Sequence, residues 1–169
     1  GEGDCFSRES PGMEVLANPG DSFEVEVRIN YGLEVIGEPT YRSGPGLYQA
    51  QDETTPCGQE GACSVMLFIG HQDSEEVGAH RAMALVSDGK FQSEILSSPD
   101  GVWKYGDYVR LRIQFTESTA QGFTYSYSYR RGDQWTEIGA HTFAKKLHFV
   151  APMHRWGGLE KGAKARFPL

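Results

Sequence analysis

The stretch from 122 to 139, "GFTYSYSYRRGDQWTEIG", decides how the chain is read. Phe123, Tyr125, Tyr127 and Tyr129 alternate with Thr124, Ser126, Ser128 and Arg130. A period of two sends aromatic rings to one face and polar groups to the other. Aromatic residues suit a pleated, half-buried surface, so this segment is a strand. Gly132-Asp133 then supplies a turn, and Trp135, Thr136 and Ile138 restart an extended run. The whole reads as a β-hairpin. Its tip spells Arg131-Gly132-Asp133, a tripeptide known as an integrin ligand. Short motifs recur by chance, and the bend alone accounts for these three residues.

The same alternation recurs on both sides. In 21–30, "DSFEVEVRIN", Phe23, Val25, Val27 and Ile29 oppose Glu24, Glu26 and Arg28. In 107–115, "DYVRLRIQF", Val109, Leu111, Ile113 and Phe115 oppose Arg110, Arg112 and Gln114. Further strands are expected at 13–17, 46–51, 64–71, 148–153 and 163–169. The segment 80–96 is expected to form a hairpin turning at Ser87-Asp88-Gly89. No segment keeps a convincing helical period. About ten short strands separated by turn residues predict two antiparallel sheets packed face to face. The Pro- and Gly-rich stretch 37–63 is the longest without a strong pattern.

The 169 residues suit a single β-sandwich domain spanning 1–169. A net charge of −7 argues against a general nucleic-acid binder, which needs a basic footprint. The basic residues near the end, Lys145, Lys146, His148, His154, Arg155, Lys161, Lys164 and Arg166, are scattered and read as solvated surface. No apolar run approaches the roughly 20 residues of a membrane helix, so no membrane insertion is expected. Cys57 and Cys63 bracket "GQEGA", and a disulfide closing this loop is expected, which suits an extracytoplasmic setting. Cys5 is left over, either free or paired outside the chain with a parent enzyme or partner protein. The cysteine and histidine spacing does not fit zinc. No cofactor is expected. Residues 1–4, Asp21 and Asp107 offer oxygen ligands for a structural calcium ion, but without EF-hand spacing no site is assigned.

Several phrases in order carry a resemblance: "DSFEVEVRI", "GPGLYQA", "YVRLRIQF", "FTYSYSYRRGDQWTEIG" and the late "FVAPMHRWGGLEKGAKARF". Together they resemble concanavalin A-like jelly-roll domains. The likeness is greatest to the non-catalytic domain appended to family 43 glycosidases and to laminin-G-like modules. It covers roughly residues 13–167, and Pro168 stands where that family has an Asp after Phe167. The resemblance implies an all-β, two-sheet antiparallel sandwich of the concanavalin A-like jelly-roll type. It also implies that Arg131-Gly132-Asp133 is the hairpin's polar turn.

Candidate binding residues follow from the polar strand faces. Arg110, Arg112 and Gln114 share one face, and Ser126 and Ser128 share the face of the neighbouring strand. Guanidinium and hydroxyl groups suit sugar hydroxyls or carboxylates. Tyr48, His154, Arg155 and Trp156 supply aromatic and cationic groups that suit a sugar at the rim, whereas Trp103 reads as packing. Glu24 and Glu26 are the best local carboxylate pair, but they lie two apart on one strand, only about 6–7 Å. No ExDxxE signature or GxSxG elbow is present. The expected function is therefore a non-catalytic, lectin-like module for an oligo- or polysaccharide, outside the cytoplasm. The alternatives are a jelly-roll glycoside hydrolase or polysaccharide lyase, and a protein-interaction or structural module.

Overall fold

The chain is described from a computed structural model. The structure describes residues 6–7, 16–28, 34–36, 44–52, 61–70, 81–89, 94–98, 103, 106–155 and 164–166. For 6–7, 34–36, 154–155 and 164–166 the description is of the backbone alone. Among the described residues there is no helix. The strands in chain order are β1 (Phe6–Ser7), β2 (Ser22–Arg28), β3 (Glu34–Ile36), β4 (Gly44–Ala50), β5 (Cys63–Gly70) and β6 (Arg81–Asp88). They continue with β7 (Glu94–Ser97), β8 (Tyr108–Thr119), β9 (Gly122–Arg131), β10 (Gln134–Phe143), β11 (Phe149–Arg155) and β12 (Lys164–Arg166).

Two antiparallel sheets form the sandwich. One runs β1-β11-β4-β5-β6-β7 and the other β10-β9-β8-β2, while β12 and β3 make a separate pair. The alternating strands behave as their period requires. Val109, Leu111, Ile113 and Phe115 are buried, as are Tyr125, Tyr127 and Tyr129 beside them. Leu47, Val65, Leu67, Ile69, Ala84, Val86 and Val150 meet them from the six-stranded sheet in one continuous core. Within it Phe115 stacks on Tyr125 with centroids 4.9 Å apart, and Tyr125 meets Phe143 edge-on at 6.1 Å. Offset and edge-on aromatic pairs of this kind add to the burial of area itself.

The six-stranded sheet is apolar on its other side too. Tyr48, Met66, Phe68, Met83, Leu85, Phe149, Ala151 and Met153 form a second buried cluster there. A strand apolar on both faces reads as a continuous run, as "VMLFI" does in β5.

Two-residue turns set the register of the four-stranded sheet. Thr119 pairs with Gly122 across Ala120-Gln121, and Arg131 pairs with Gln134 across Gly132-Asp133. Gly132 has φ +63, a left-handed value that favours glycine in such a turn. The Arg131-Gly132-Asp133 tripeptide is thus a hairpin tip. The Arg131 guanidinium lies 4.9 Å from the centroid of the buried Trp103 ring, which meets Tyr129 edge-on.

Two expectations are corrected. Residues 16 and 17 are not in a strand. Leu16 is a buried plug for the core, and the chain turns immediately after it. The Asp21 carboxylate accepts the Asn18 N–H at 2.9 Å, and the Ala17 carbonyl accepts the Lys146 ammonium at 2.7 Å. The disulfide is also corrected, because Cys63 is a free buried thiol. It opens β5 with its side chain in the inter-sheet core, where Sγ lies 3.6 Å from Asp88 Oδ1. Cys57 and Cys5 lie outside the described residues.

Two tyrosines one period apart offer a controlled test of the core. The Tyr125 hydroxyl accepts the buried Leu147 N–H at 2.9 Å, whereas the buried Tyr127 hydroxyl has no hydrogen-bond partner among the described residues. Tyr125→Phe is expected to cost about 1–3 kcal/mol by leaving that N–H unsatisfied. Tyr127→Phe is expected to be neutral or stabilising. Urea denaturation of both variants checks this, and equal losses would contradict it.

Candidate functional site

The outward side chains of β2, β8, β9 and β10 build one surface in rows. Across the sheet, one row reads Glu26, Arg110, Arg130 and Trp135. The next reads Glu24, Arg112, Ser128 and Glu137, and a third reads Ser22, Gln114, Ser126 and Ala140. Five of the expected binding residues, Arg110, Arg112, Gln114, Ser126 and Ser128, therefore do share one face. The serines lie low, at 6% and 4% exposure, while the longer Arg and Gln side chains around them are half-buried. Thr124 and Thr142 extend the hydroxylated strip, their oxygens 2.7 Å apart.

The three guanidiniums on this face have different fates. Arg110 is clamped: its Nη1 lies 3.5 Å from Glu24 Oε2 and its Nε lies 3.4 Å from Glu26 Oε2. These are long, exposed ion pairs of small energetic value, but they tie both glutamates to one cation. Arg112 lies over the Trp135 ring, 4.2 Å from its centroid, with Arg130 at 5.8 Å. Among the described residues neither Arg112 nor Arg130 forms a salt bridge. Among the described residues the Nε atoms of both Arg112 and Arg110 are buried without a hydrogen-bond partner.

The other expected site residues are elsewhere. Tyr48 is on β4 of the opposite sheet, in the second apolar cluster, with Phe149 edge-on at 6.1 Å. It is 3% exposed and is not brought to the arginine face. His154 and Arg155 end β11, also in the six-stranded sheet, where their backbones pair with Pro45 and Gly44. Trp156 lies outside the described residues. Trp135 was not among the expected binding residues, and the two-residue turn sets it directly opposite Arg130 and so on the polar face.

A second cluster joins the sheets at their edge. His141 on β10 points inward and touches two carboxylates, Asp88 Oδ2 from Nε2 at 2.8 Å and Glu94 Oε2 from Nδ1 at 3.0 Å. Both contacts are hydrogen bonds only when both ring nitrogens carry protons, because a neutral imidazole has one donor. Asp88 also meets Cys63, giving the order Cys63, Asp88, His141, Glu94. A cysteine nucleophile needs the imidazole next to the thiol. Here the carboxylate intervenes, and burial, then the Asp88 charge and hydrogen bond, push the thiol up from its ordinary 9.0. Burial likewise pushes the Tyr127 phenol well above 10.0, with Tyr125, Glu94 and Asp88 adding to it. The cluster is a clasp between β10 and β6–β7, not an activated nucleophile. Among the described residues no group of three or more His, Cys, Asp or Glu is arranged to hold a metal ion.

The chain matches no protein-family model, no curated protein and no solved structure.

The raised thiol and phenol fix the sign of an alkaline effect. Both groups lose protons more easily unfolded than folded, so their contribution is complete below the ordinary thiol range. It is lost as pH rises past 9.0 and on through the tyrosine range. Thermal melts from neutral pH upward are expected to fall in this window, with a smaller fall in Cys63→Ala. A thiol-reactive probe is expected to label Cys63 only after denaturation. Labelling of Cys63 in the folded protein at neutral pH would contradict its burial.

Proposed function

We propose that this chain is a non-catalytic carbohydrate-binding module of the concanavalin A-like jelly-roll type, accessory to a carbohydrate-active enzyme. The observation that carries the reading is the Arg112 guanidinium lying over the Trp135 ring, 4.2 Å from its centroid, on the face that also carries Ser126 and Ser128. A guanidinium fixed by stacking loses little freedom when it donates to a ligand, so its hydrogen bonds are preorganised. Arg130 and Gln114 flank it on the same face and add donors and acceptors that match sugar hydroxyls, with Ser126 and Ser128 low between them. A strand surface of this kind engages several sugar units of an extended chain.

Glu24 and Glu26 lend this face no acid–base pair. They lie on the same strand and both approach Arg110, rather than facing each other across a bound substrate. The free Cys63 withdraws the loop disulfide as an argument for compartment. Placement outside the cytoplasm therefore rests on the class of ligand alone.

The test is incubation with a panel of soluble and insoluble polysaccharides, scored for protein depletion and for release of reducing or unsaturated ends. Depletion without release is expected. Trp135→Ala is expected to weaken retention about thirtyfold, the loss of an interface anchor of about 2 kcal/mol. Release of ends that persists through repurification would overturn the non-catalytic reading.

A further inference from the structure

We infer that the face formed by Arg112, Trp135 and Arg130 selects an acidic glycan, one that carries carboxylate or sulfate groups among neutral hydroxylated units. This inference rests on the carbohydrate-binding reading and names the substrate class of the same site.

The argument begins with like charges. Arg110 and Arg130 are directly opposite one another on β8 and β9, and Arg112 is one period along from Arg110 on the same face. Directly opposed like charges destabilise a sheet. Glu24 and Glu26 form ion pairs with Arg110 alone among the three, although Glu24 is opposite Arg112 in the register. Arg112 and Arg130 keep their charge beside one half-buried indole, and burial of the Arg112 Nε without an acceptor removes some of its hydration. An anion drawn to this point gains more than it would at a fully solvated arginine, because the local dielectric is lower. A planar carboxylate or a sulfate also matches the fork of a guanidinium.

The surroundings limit what kind of anion fits. The chain as a whole carries −7, so a positive spot on it is local. Glu24 and Glu26 border the spot on the β2 side, and Glu137 lies opposite Ser128 on the β10 side. These carboxylates repel a densely charged polymer such as nucleic acid. They tolerate a ligand whose charges are spaced by neutral groups. Gln114, Ser126, Thr124 and Thr142 continue the same face with uncharged donors and acceptors. An acidic polysaccharide has both features, an occasional anion and a run of hydroxyls.

The test is calorimetric titration with size-matched oligosaccharides: neutral xylo- and cello-oligosaccharides, oligogalacturonates, and a sulfated galactan fragment. Duplex DNA and a poly-glutamate peptide serve as non-sugar polyanions. The expected result is binding to the carboxylated or the sulfated sugars, or both, that is at least tenfold tighter than to neutral ones and weakens as salt is raised. Preference between the two acidic sugars identifies the anion. Arg112→Gln and Arg130→Gln are each expected to weaken acidic-sugar binding about tenfold, with unchanged melting temperature showing that the fold is intact. Arg110→Gln, which removes the guanidinium that lies beside two glutamates and is not over the Trp135 ring, is expected to have a smaller effect. Equal affinity for neutral and acidic sugars, or unchanged affinity in both Arg112→Gln and Arg130→Gln, would overturn the inference and leave the carbohydrate-binding reading standing. Tighter binding to DNA or poly-glutamate than to any sugar would overturn both, and so would no binding to any glycan.

Discussion

Burial of Tyr125, Tyr127 and Tyr129 between the two sheets forces their neighbours on β9 to face the other way. With a strand period of two, Thr124, Ser126, Ser128 and Arg130 have no alternative but the outer surface. The two-residue turns on either side of β9 transmit this parity to β8 and β10. Arg110, Arg112 and Gln114 are thereby aligned with the serines, and Trp135 is set opposite Arg130. A slip of β9 by one residue would turn Arg130 and three hydroxyl side chains inward and expose the tyrosines, at a cost that rivals a domain's net stability. The apolar core and the polar outer face are two sides of the same constraint.

The sheets are also fastened at their edge. His141 faces inward from β10 between the carboxylates of Asp88 and Glu94, which belong to β6 and β7 of the other sheet. Gly139, two residues earlier, leaves room for the Leu96 side chain, since a Cβ there would stand 2.7 Å from its Cδ1. The β-bulge between Glu137 and Gly139 keeps Trp135 and Glu137 outward while bringing Gly139 and His141 inward. This places polar contacts and close packing side by side at one margin of the sandwich. Cys63 shares Asp88 with the histidine, so the thiol belongs to the same inter-sheet seam.

Much of this was readable in the sequence, for a physical reason. A strand with one wet and one dry face announces itself by alternation, and β2, β8 and β9 are of this type. The polar half of the alternation named Arg110, Arg112, Gln114, Ser126 and Ser128 as one surface. The position of Tyr48 was not readable in the same way, because β4 and β5 are buried on both faces and lack alternation. An aromatic residue in such a strand gives no sign of which side it faces. The clasp was hidden because its members are 88, 94 and 141, joined only by the packing of two sheets. The Cys57–Cys63 expectation failed because sequence spacing carries no direction, whereas the β5 register turns Cys63 inward toward Asp88. The place of Trp135 follows from the two-residue turn, which sets it opposite Arg130 on the polar face.

The account's central claim is that the outward surface of β8, β9 and β10 is the recognition face. The most direct measurement is NMR chemical-shift mapping with a labelled sample titrated by a bound oligosaccharide. The account predicts perturbations concentrated at the Trp135 indole, at Arg112 and Arg130 side-chain signals, and at the amides of Ser126 to Arg130. Perturbations centred instead on β4, β5 and β11, with the Trp135 indole unmoved, would contradict it.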